Sequence, residues 1–215
     1  MTLDDIRKLV IGGKVKRIGP ALCAILNDGA DPEKIINVMT EAMYEVGENF
    51  QTNKIYVPEM LVSAMTMKKG VQILRPFLVD DSEEKPESFI IGSVMGDLHD
   101  IGKNLVCCML ESLGFNVIDL GVDVAPELFV ATLKANPDCR FLGLSALLTT
   151  TLPVVEATID AIREAGLREQ VYIFAGGAPL TPELAQRLGA DDFCPDAHAT
   201  ALRAAQLAGL RPSDK

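Results

Sequence analysis

The second part of the chain repeats one pattern five times, a short apolar run followed by a segment with helical periodicity. Such runs are typical of strands buried on both faces of a sheet, and parallel neighbours need helical crossovers of this length. The predicted strands cover 89–95, 116–120, 141–145, 171–174 and 192–194, and the predicted helices cover 101–113, 126–135, 152–165, 181–188 and 197–208. We therefore predict an α/β fold with a Rossmann-like (flavodoxin-like) five-stranded parallel sheet in the order 2-1-3-4-5.

The first part of the chain has helical periodicity throughout. Apolar residues recur at three- and four-residue spacing from Ile35 to Val46, behind Asp31 as the predicted N-cap and Pro32 at the first helical position. Shorter patterns of the same kind cover 3–11, 19–26 and 58–78. Together they predict an N-terminal four-helix bundle.

A change of composition separates the two parts. Residues 79–88 carry five acidic side chains around Pro86, and the apolar periodicity stops there. This segment is interpreted as an interdomain linker. The expected domains are a helical bundle over 1–85 and a sheet domain over 86–215.

The composition excludes several classes of function. Thirty acidic against twenty basic side chains give a net charge of −10, the wrong sign for binding a phosphate backbone, so nucleic acid is excluded as a partner. The longest uncharged run, 141–155, is too short and polar to span a membrane, and Asp4 and Asp5 stand where a signal peptide is basic. Five cysteines without C-x-x-C spacing indicate neither a disulfide framework nor a zinc site. A cytoplasmic location without a membrane partner is expected.

Three polar loops follow the first, third and fourth predicted strands, at residues 96–104, 145–151 and 175–178. Because the carboxyl ends of parallel strands meet at one edge of the sheet, these loops are expected to lie together. Ligands of open α/β sheets bind at that edge, where the strand order reverses. The sequence therefore predicts a ligand site there.

The first of these loops contains the motif Asp97-x-His99-x-x-Gly102. A carboxylate two residues before a histidine can accept its ring N–H and leave the other ring nitrogen free to coordinate a metal. The same pair also fits general-base catalysis, so the residues alone leave both roles open. Gly102 permits close approach of a ligand to the backbone.

Together with Ser145-x-Leu147 and Gly176-Gly177, this motif resembles the cobalamin-binding domain of base-off, His-on corrinoid proteins. The first part of the chain extends the resemblance. Residues 46–50 and 56–61 are similar to the helical cap of cobalamin-dependent methionine synthase and of the small corrinoid proteins of methyltransferase systems. Nearly the whole chain is covered.

The resemblance implies a bound cobalamin, as methylcobalamin or another corrinoid, whose cobalt is held from below by His99. Asp97 is then expected to hold the far ring nitrogen of that histidine. Thr151 stands where methionine synthase continues this relay with a serine, and it keeps the hydroxyl group. These three residues are the expected metal-tuning group.

The resemblance also assigns residues to the rest of the cofactor. The residues expected around the displaced nucleotide tail are Ser145, Leu147, Leu148, Thr149 and Thr150, with room provided by Gly176 and Gly177. In the cap, Phe50 and Val57 fall on the two positions that cover the methyl group. Both are apolar, as exclusion of water from a reactive cobalt requires.

The implied function is a methyl shuttle. Bound cobalamin takes a methyl group from a substrate methyltransferase and gives it to a second methyltransferase that acts on tetrahydrofolate or a thiol, and a reductive activator restores oxidised cobalt. The chain is then a non-catalytic carrier subunit, since no segment resembles a TIM barrel for methyl donor or folate. Methylamines, methanol, methoxylated aromatics, betaines and methyl thiols all remain open as donors.

Two other classes share parts of this pattern. A cobalamin-dependent sensor or regulator joins a similar bundle to the same domain, but such proteins carry a basic DNA-binding segment or use a tryptophan, and this chain has no tryptophan. The small subunit of an adenosylcobalamin mutase shares D-x-H-x-x-G but lacks the methyl-type cap. A flavodoxin-like domain with an accidental motif does not explain the agreement of three loops and a cap.

Overall fold

The computed structural model describes residues 1–78 and 86–209. Most of the predicted linker over 79–88 lies outside these ranges. The described residues divide into a helical unit and an α/β unit that begins at Pro86, with Glu111–Gly114 grouped with the helical unit. The exact domain limits stay a prediction. Within the described part of the chain, no helix is long and apolar enough to cross a membrane.

The helical unit confirms the predicted N-terminal helices. They are α1 (Leu3–Ile11), α2 (Val15–Asn27), α3 (Pro32–Gln51) and α4 (Val57–Leu78). Asp31 caps α3 as predicted, because its carboxylate accepts a hydrogen bond of 3.0 Å from the Glu33 N–H. Met39, Met43 and Met60 are buried to 1% exposure or less, so the apolar faces of α3 and α4 form the core.

Helix α2 differs from its prediction at its first turn. It begins at Val15 instead of Gly19, and Pro20 lies inside it. A proline lacks the N–H for a helical hydrogen bond, so its place inside the helix costs one such bond. Ile18 and Leu22 are both fully buried, and their burial stabilises the extra turn against that loss.

The α/β unit contains one parallel sheet. Its strands are β1 (Ser88–Ser93), β2 (Asn116–Asp119), β3 (Phe141–Ser145), β4 (Tyr172–Gly176) and β5 (Asp192–Cys194), in the order β2-β1-β3-β4-β5. All four strand pairs are parallel, which confirms the predicted fold class and order. In this register Ser93 pairs with Ser145, and Ser145 pairs with Gly176, so three strand ends form one row at the carboxyl edge.

Helices connect the strands as expected for a doubly wound sheet. They are α5 (Ile101–Ser112), α6 (Pro126–Ala135), α7 (Leu152–Glu164), α8 (Pro182–Arg187) and α9 (Ala197–Leu207). The rings of Phe89 and Phe174 stack on one face of the sheet, with their centroids 5.6 Å apart. The residue that follows each of them, Ile90 and Ala175, packs into the core cluster on the other face. Both faces of the sheet are therefore buried, which explains the continuous apolar runs.

Candidate functional site

The loop after β1 carries the D-x-H motif, and we call residues 94–100 the ligand loop. Strand β1 ends at Ser93, not at Met95 as predicted, because Val94 forms only a single bridge to Val124. The Asp97 N–H then closes a turn onto the carbonyl of Val94 at 3.0 Å. The buried Ser93 hydroxyl donates to the His99 carbonyl at 2.7 Å. The loop is therefore folded back against the strand that precedes it.

Asp97 and His99 form the pair that the motif predicts. Asp97 Oδ1 lies 2.7 Å from His99 Nδ1 and accepts the His99 backbone N–H at 3.0 Å. A carboxylate can only accept, so a neutral imidazole in this position carries its proton on Nδ1 and a free lone pair on Nε2. The Asp97 side chain is 1% exposed and that of His99 is 51% exposed, so the carboxylate is buried and the ring reaches the surface.

The second oxygen of Asp97 binds the loop after β3. Oδ2 accepts hydrogen bonds from the Leu147 N–H at 2.6 Å, the Leu148 N–H at 3.3 Å and the Thr151 hydroxyl at 3.2 Å. Thr151 is buried, and its hydroxyl is also 2.9 Å from the carbonyl of Leu148. Because the hydroxyl has one hydrogen, these two acceptors share it. Asp97 thus joins the histidine to the predicted hydroxyl through its two oxygens.

These contacts set the charge of Asp97. Burial by itself raises the pKa of a carboxyl group, but hydrogen bonds from the Leu147 N–H, from the His99 backbone and ring, and from the Leu148 N–H lower it more, so that the pKa of Asp97 falls to about 2. The group is an anion at neutral pH. An anion behind the imidazole makes the opposite ring nitrogen a stronger ligand.

The three predicted glycines differ in what surrounds them. A Cβ on Gly177, where φ is +135°, would lie 1.8 Å from the carbonyl oxygen of Ala146, and one on Gly176 would lie 2.8 Å from the Cβ of Cys194. The chain itself requires glycine at these two positions. A Cβ on Gly102 would meet nothing within 4 Å, so the described chain imposes no such requirement there.

Exposed apolar side chains lie in the segments that carry His99 and the backbone N–H groups bonded to Asp97. Leu98 and Ile101, on either side of His99, are 73% and 75% exposed, and Leu147 and Leu148 are each 40% exposed. Large apolar side chains with such high exposed fractions, next to a polar pair, are typical of a surface that binds a ligand. The sequence analysis missed Leu98 and Ile101, although two large apolar residues within a polar loop were a visible signal.

The other predicted residues of the α/β unit lie at the same edge of the sheet. Ser145 is half-buried, and its carbonyl accepts the Val94 N–H at 3.0 Å. Thr149 and Thr150 are exposed in the short 3-10 turn Thr149–Thr151 before α7. The structure therefore gathers the three predicted loops, while the contacts of their residues with a cofactor stay a prediction.

The two cap residues lie at one end of the helical unit. Phe50 is in the last turn of α3, Val57 is the first residue of α4, and both are half-buried. Tyr56, between them in the connecting turn, is 71% exposed. The structure brings Phe50 and Val57 to the same turn, and their contact with a methyl group stays a prediction.

A buried lysine was not anticipated from the sequence. Lys103 is 3% exposed, and its Nζ donates to Asp119 Oδ2 at 2.6 Å and to Asn104 Oδ1 at 2.7 Å. This ion pair joins the first turn of α5 to the end of β2. A lysine in the first turn of an amphipathic helix is normally solvated, so the sequence offered no signal for it.

The chain has a parallel sheet, and a histidine bonded to a buried carboxylate lies at its carboxyl edge. Comparison with known proteins assigns this chain to the class of cobalamin-binding proteins. Residues 87–205 match the family model described as "B12 binding domain", and residues 2–75 match a second model of that description. The chain belongs to the family of corrinoid proteins with B12 binding domains.

Individual relatives agree with this assignment. The chain is 40% identical to "Dimethylamine corrinoid protein 1" of Methanosarcina acetivorans over 180 residues, which cover 82% of the chain and 84% of the relative. It is 38% identical to "Trimethylamine corrinoid protein 2" of Methanosarcina mazei, over 77% of each protein. The crystal structure of a cobalamin-binding protein from Desulfitobacterium hafniense superposes with a TM-score of 0.82 at 28% identity, covering 95% of this chain and 98% of that one. This similarity favours the methyl-carrier interpretation over the sensor and mutase alternatives.

Proposed function

We propose that the chain is a corrinoid methyl carrier that binds cobalamin base-off with His99 as the lower ligand of cobalt. The observation that carries the proposal is the His99–Asp97 pair, in which Nδ1 is 2.7 Å from a buried carboxylate and the ring is half-exposed. The free imidazole nitrogen of His99 would bind the cobalt of the cofactor, a metal that nitrogen ligands suit. The apolar side chains around His99 suit the edge of a large flat ring. The residues present therefore fit the cofactor.

When bound, cobalamin supplies a cobalt that can accept and release a methyl group. The chain's own residues hold and tune that metal. His99 would bind the cobalt through Nε2, while Asp97 keeps the proton on Nδ1 and adds negative charge behind the ring. Thr151 adds a hydrogen bond to the far oxygen of Asp97.

The nucleotide tail is proposed to run along the loop after β3. The backbone N–H groups of Leu147 and Leu148 are already bonded to Asp97, so this loop offers the exposed side chains of Leu147 to Thr150 and the half-buried Ser145. The open space at Gly102 supports close approach of the cofactor to the start of α5. In the helical unit, Phe50 and Val57 are proposed to cover the methyl group and exclude water.

Two methyltransferases and a reductive activator complete the proposed system. One enzyme supplies the methyl group, and the other passes it to tetrahydrofolate or a thiol. Relatives of similar identity are named for dimethylamine and for trimethylamine, so methylated amines are the first donors to test. The cytoplasmic location expected from the sequence stays a prediction.

Reconstitution with radiolabelled methylcobalamin tests the function. We expect about one cobalt per chain, and transfer of the label to tetrahydrofolate or a thiol when a methylcorrinoid:acceptor methyltransferase is added. Free methylcobalamin with the same enzyme is the control and should react more slowly. Tighter binding of adenosylcobalamin than of methylcobalamin would contradict the carrier assignment and favour a sensor or a mutase subunit.

A further inference from the structure

A residue outside the D-x-H-x-x-G motif is bonded to the ligand loop at two points. Asp123, in the loop between β2 and α6, accepts the Gly96 N–H on Oδ1 at 2.7 Å. Its own backbone N–H donates to the carbonyl of Asp97 at 3.0 Å. The two bonds run in opposite directions between the same two loops, so they fix both the distance and the orientation of the ligand loop.

The backbone of Asp123 is in an unusual conformation. Its φ is +55°, in the left-handed region that residues with a Cβ seldom adopt. Such a conformation persists where the surroundings determine it, and it is concentrated at functional sites. Here it allows one residue to present its N–H and its carboxylate to neighbouring residues of the ligand loop. Aspartate tolerates this region better than most residues, which explains the residue type.

Two further hydrogen bonds, made by Val124 and Ser93, connect the loop that contains Asp123 and the end of β1 to the ligand loop. The Val124 N–H donates to the carbonyl of Ser93 at 2.9 Å, and the Ser93 hydroxyl donates to the carbonyl of His99 at 2.7 Å. The backbone of the ligand loop is thus held at Gly96, at Asp97 and at His99 by groups that do not belong to the motif. From this backbone position the Asp97 carboxylate reaches both His99 Nδ1, at 2.7 Å, and the Leu147 N–H, at 2.6 Å.

We infer that Asp123 is a positioning residue for the histidine ligand: it fixes the backbone of Gly96 and Asp97, so that the Asp97 carboxylate holds His99 in one orientation. The inference rests on the proposed function, in which His99 binds cobalt. The Oδ1 atom of Asp123 acts as a hydrogen-bond acceptor for the Gly96 N–H, and its negative charge is not required. Asp123 bonds to Gly96 and to the Asp97 carbonyl and acts on the imidazole through Asp97.

Three substitutions separate the possible roles of Asp123. Asp123→Gly keeps the left-handed backbone without strain but removes the acceptor oxygen. Asp123→Asn keeps an acceptor and tolerates the conformation but removes the charge. Asp138→Gly is the matched control, since Asp138 is an exposed aspartate in the turn before β3, away from the carboxyl edge.

The first measurement uses the cobalamin-free protein. Asp123→Gly should speed amide exchange at Gly96 by about tenfold, as expected for the loss of one hydrogen bond. The ¹⁵N shifts of His99, recorded at mildly alkaline pH, should show a smaller share of the tautomer protonated on Nδ1. Asp123→Asn and Asp138→Gly should resemble the parent protein in both signals. Unchanged exchange and tautomer in Asp123→Gly would overturn the inference.

The second measurement uses the protein loaded with cobalamin and reduced to cobalt(II). Electron paramagnetic resonance should show that a smaller fraction of the cobalt has imidazole bound in Asp123→Gly than in the parent protein. Asp123→Asn should restore the parent's fraction. The thermal stabilities of Asp123→Asn and Asp138→Gly should be equal. If Asp123→Asn loses as much as Asp123→Gly, the acceptor role is wrong. If the parent protein itself shows no imidazole coupling, the proposed function fails, while the amide exchange and tautomer data still decide whether Asp123 positions His99.

Discussion

The carboxylate of Asp97 connects two loops and the histidine through separate oxygens. Oδ1 faces His99, and Oδ2 accepts from Leu147, Leu148 and Thr151. A hydrogen-bonded anion in a buried position is costly to neutralise, so it keeps its charge over a wide pH range. The charge state behind the histidine is therefore set by the fold and not by the solvent.

The pH dependence of stability should report this anion. The pKa of Asp97 is about 2 in the folded chain against an ordinary 3.8, so its stabilisation is present above about pH 4 and is lost as the pH falls towards 2. We expect Asp97→Asn to remove a pH-dependent contribution of about 2 kcal/mol in cobalamin-free protein. Urea unfolding of both proteins between neutral and acid pH measures it. Parallel stability curves for the two proteins would contradict the lowered pKa.

Asp97 and Thr151 should affect the coordination of cobalt(II) to different extents. Asp97→Asn is expected to bind corrinoid but to shift cobalt(II) from five-coordinate towards four-coordinate, because an amide holds the imidazole without negative charge. Thr151→Val should shift it in the same direction and less, since the Thr151 hydroxyl is closer to the Leu148 carbonyl, at 2.9 Å, than to Asp97, at 3.2 Å. Absorption and electron paramagnetic resonance of the cobalt(II) forms measure both. A larger effect of Thr151→Val would show that this expectation is wrong.

At the scale of elements, two glycines at the carboxyl edge should respond oppositely to alanine. Gly177→Ala forces a Cβ against the Ala146 carbonyl at a positive φ, so we expect a loss of at least about 2 kcal/mol in the free energy of unfolding. Gly102→Ala has open space in α5 and should keep or slightly raise stability, because alanine favours helix by about 1 kcal/mol. Only Gly102→Ala should weaken cobalamin binding in a stable protein. Calorimetric titration and urea unfolding test this, and unaltered binding by Gly102→Ala would remove its proposed role.

The elements show which sequence signals decide a fold. The apolar runs and crossover helices predicted the parallel sheet correctly, because burial on both faces leaves a pattern within each segment. The strand order, also correct, came from analogy with flavodoxin-like folds and not from that pattern. The predicted start of α2 was wrong, because the helix begins at Val15 and continues through Pro20. The buried Ile18 lies four residues before the buried Leu22, so the helical spacing already extended towards the N-terminus. The motif also predicted the contact of Asp97 with His99, which lie two residues apart.

The rest of the site depends on residues far apart in the chain. Asp123 reaches Gly96 across 27 residues, and Lys103 reaches Asp119 across 16. Neither pair has a spacing that a helix or strand would impose, and single charged residues near loops are usually solvated. Such partners can be found only once the sheet order places the loops after β1 and β2 side by side.

At the scale of the whole molecule, a carrier must protect its methyl group and still present it to two enzymes. If Phe50 shields the methyl group as proposed, Phe50→Ala in the full chain should make bound methylcobalamin photolyse faster, because an enclosed radical pair recombines and an exposed pair escapes. Val62→Ala, which truncates an exposed apolar residue of α4, is the control and should leave the rate unchanged. Equal rates in all three proteins would show that Phe50 does not shield the methyl group.

The central claim is that His99 is the lower ligand of cobalt in a methyl carrier. Electron paramagnetic resonance of the cobalt(II) protein, prepared with ¹⁴N- and with ¹⁵N-labelled histidine, tests it most directly. We predict that each cobalt line is a triplet with ¹⁴N and a doublet with ¹⁵N, and that His99→Ala abolishes this dependence on the label. Spectra that are the same with both histidine isotopes, and that still show coupling to the nitrogen of the cobalamin's own benzimidazole, would contradict this claim.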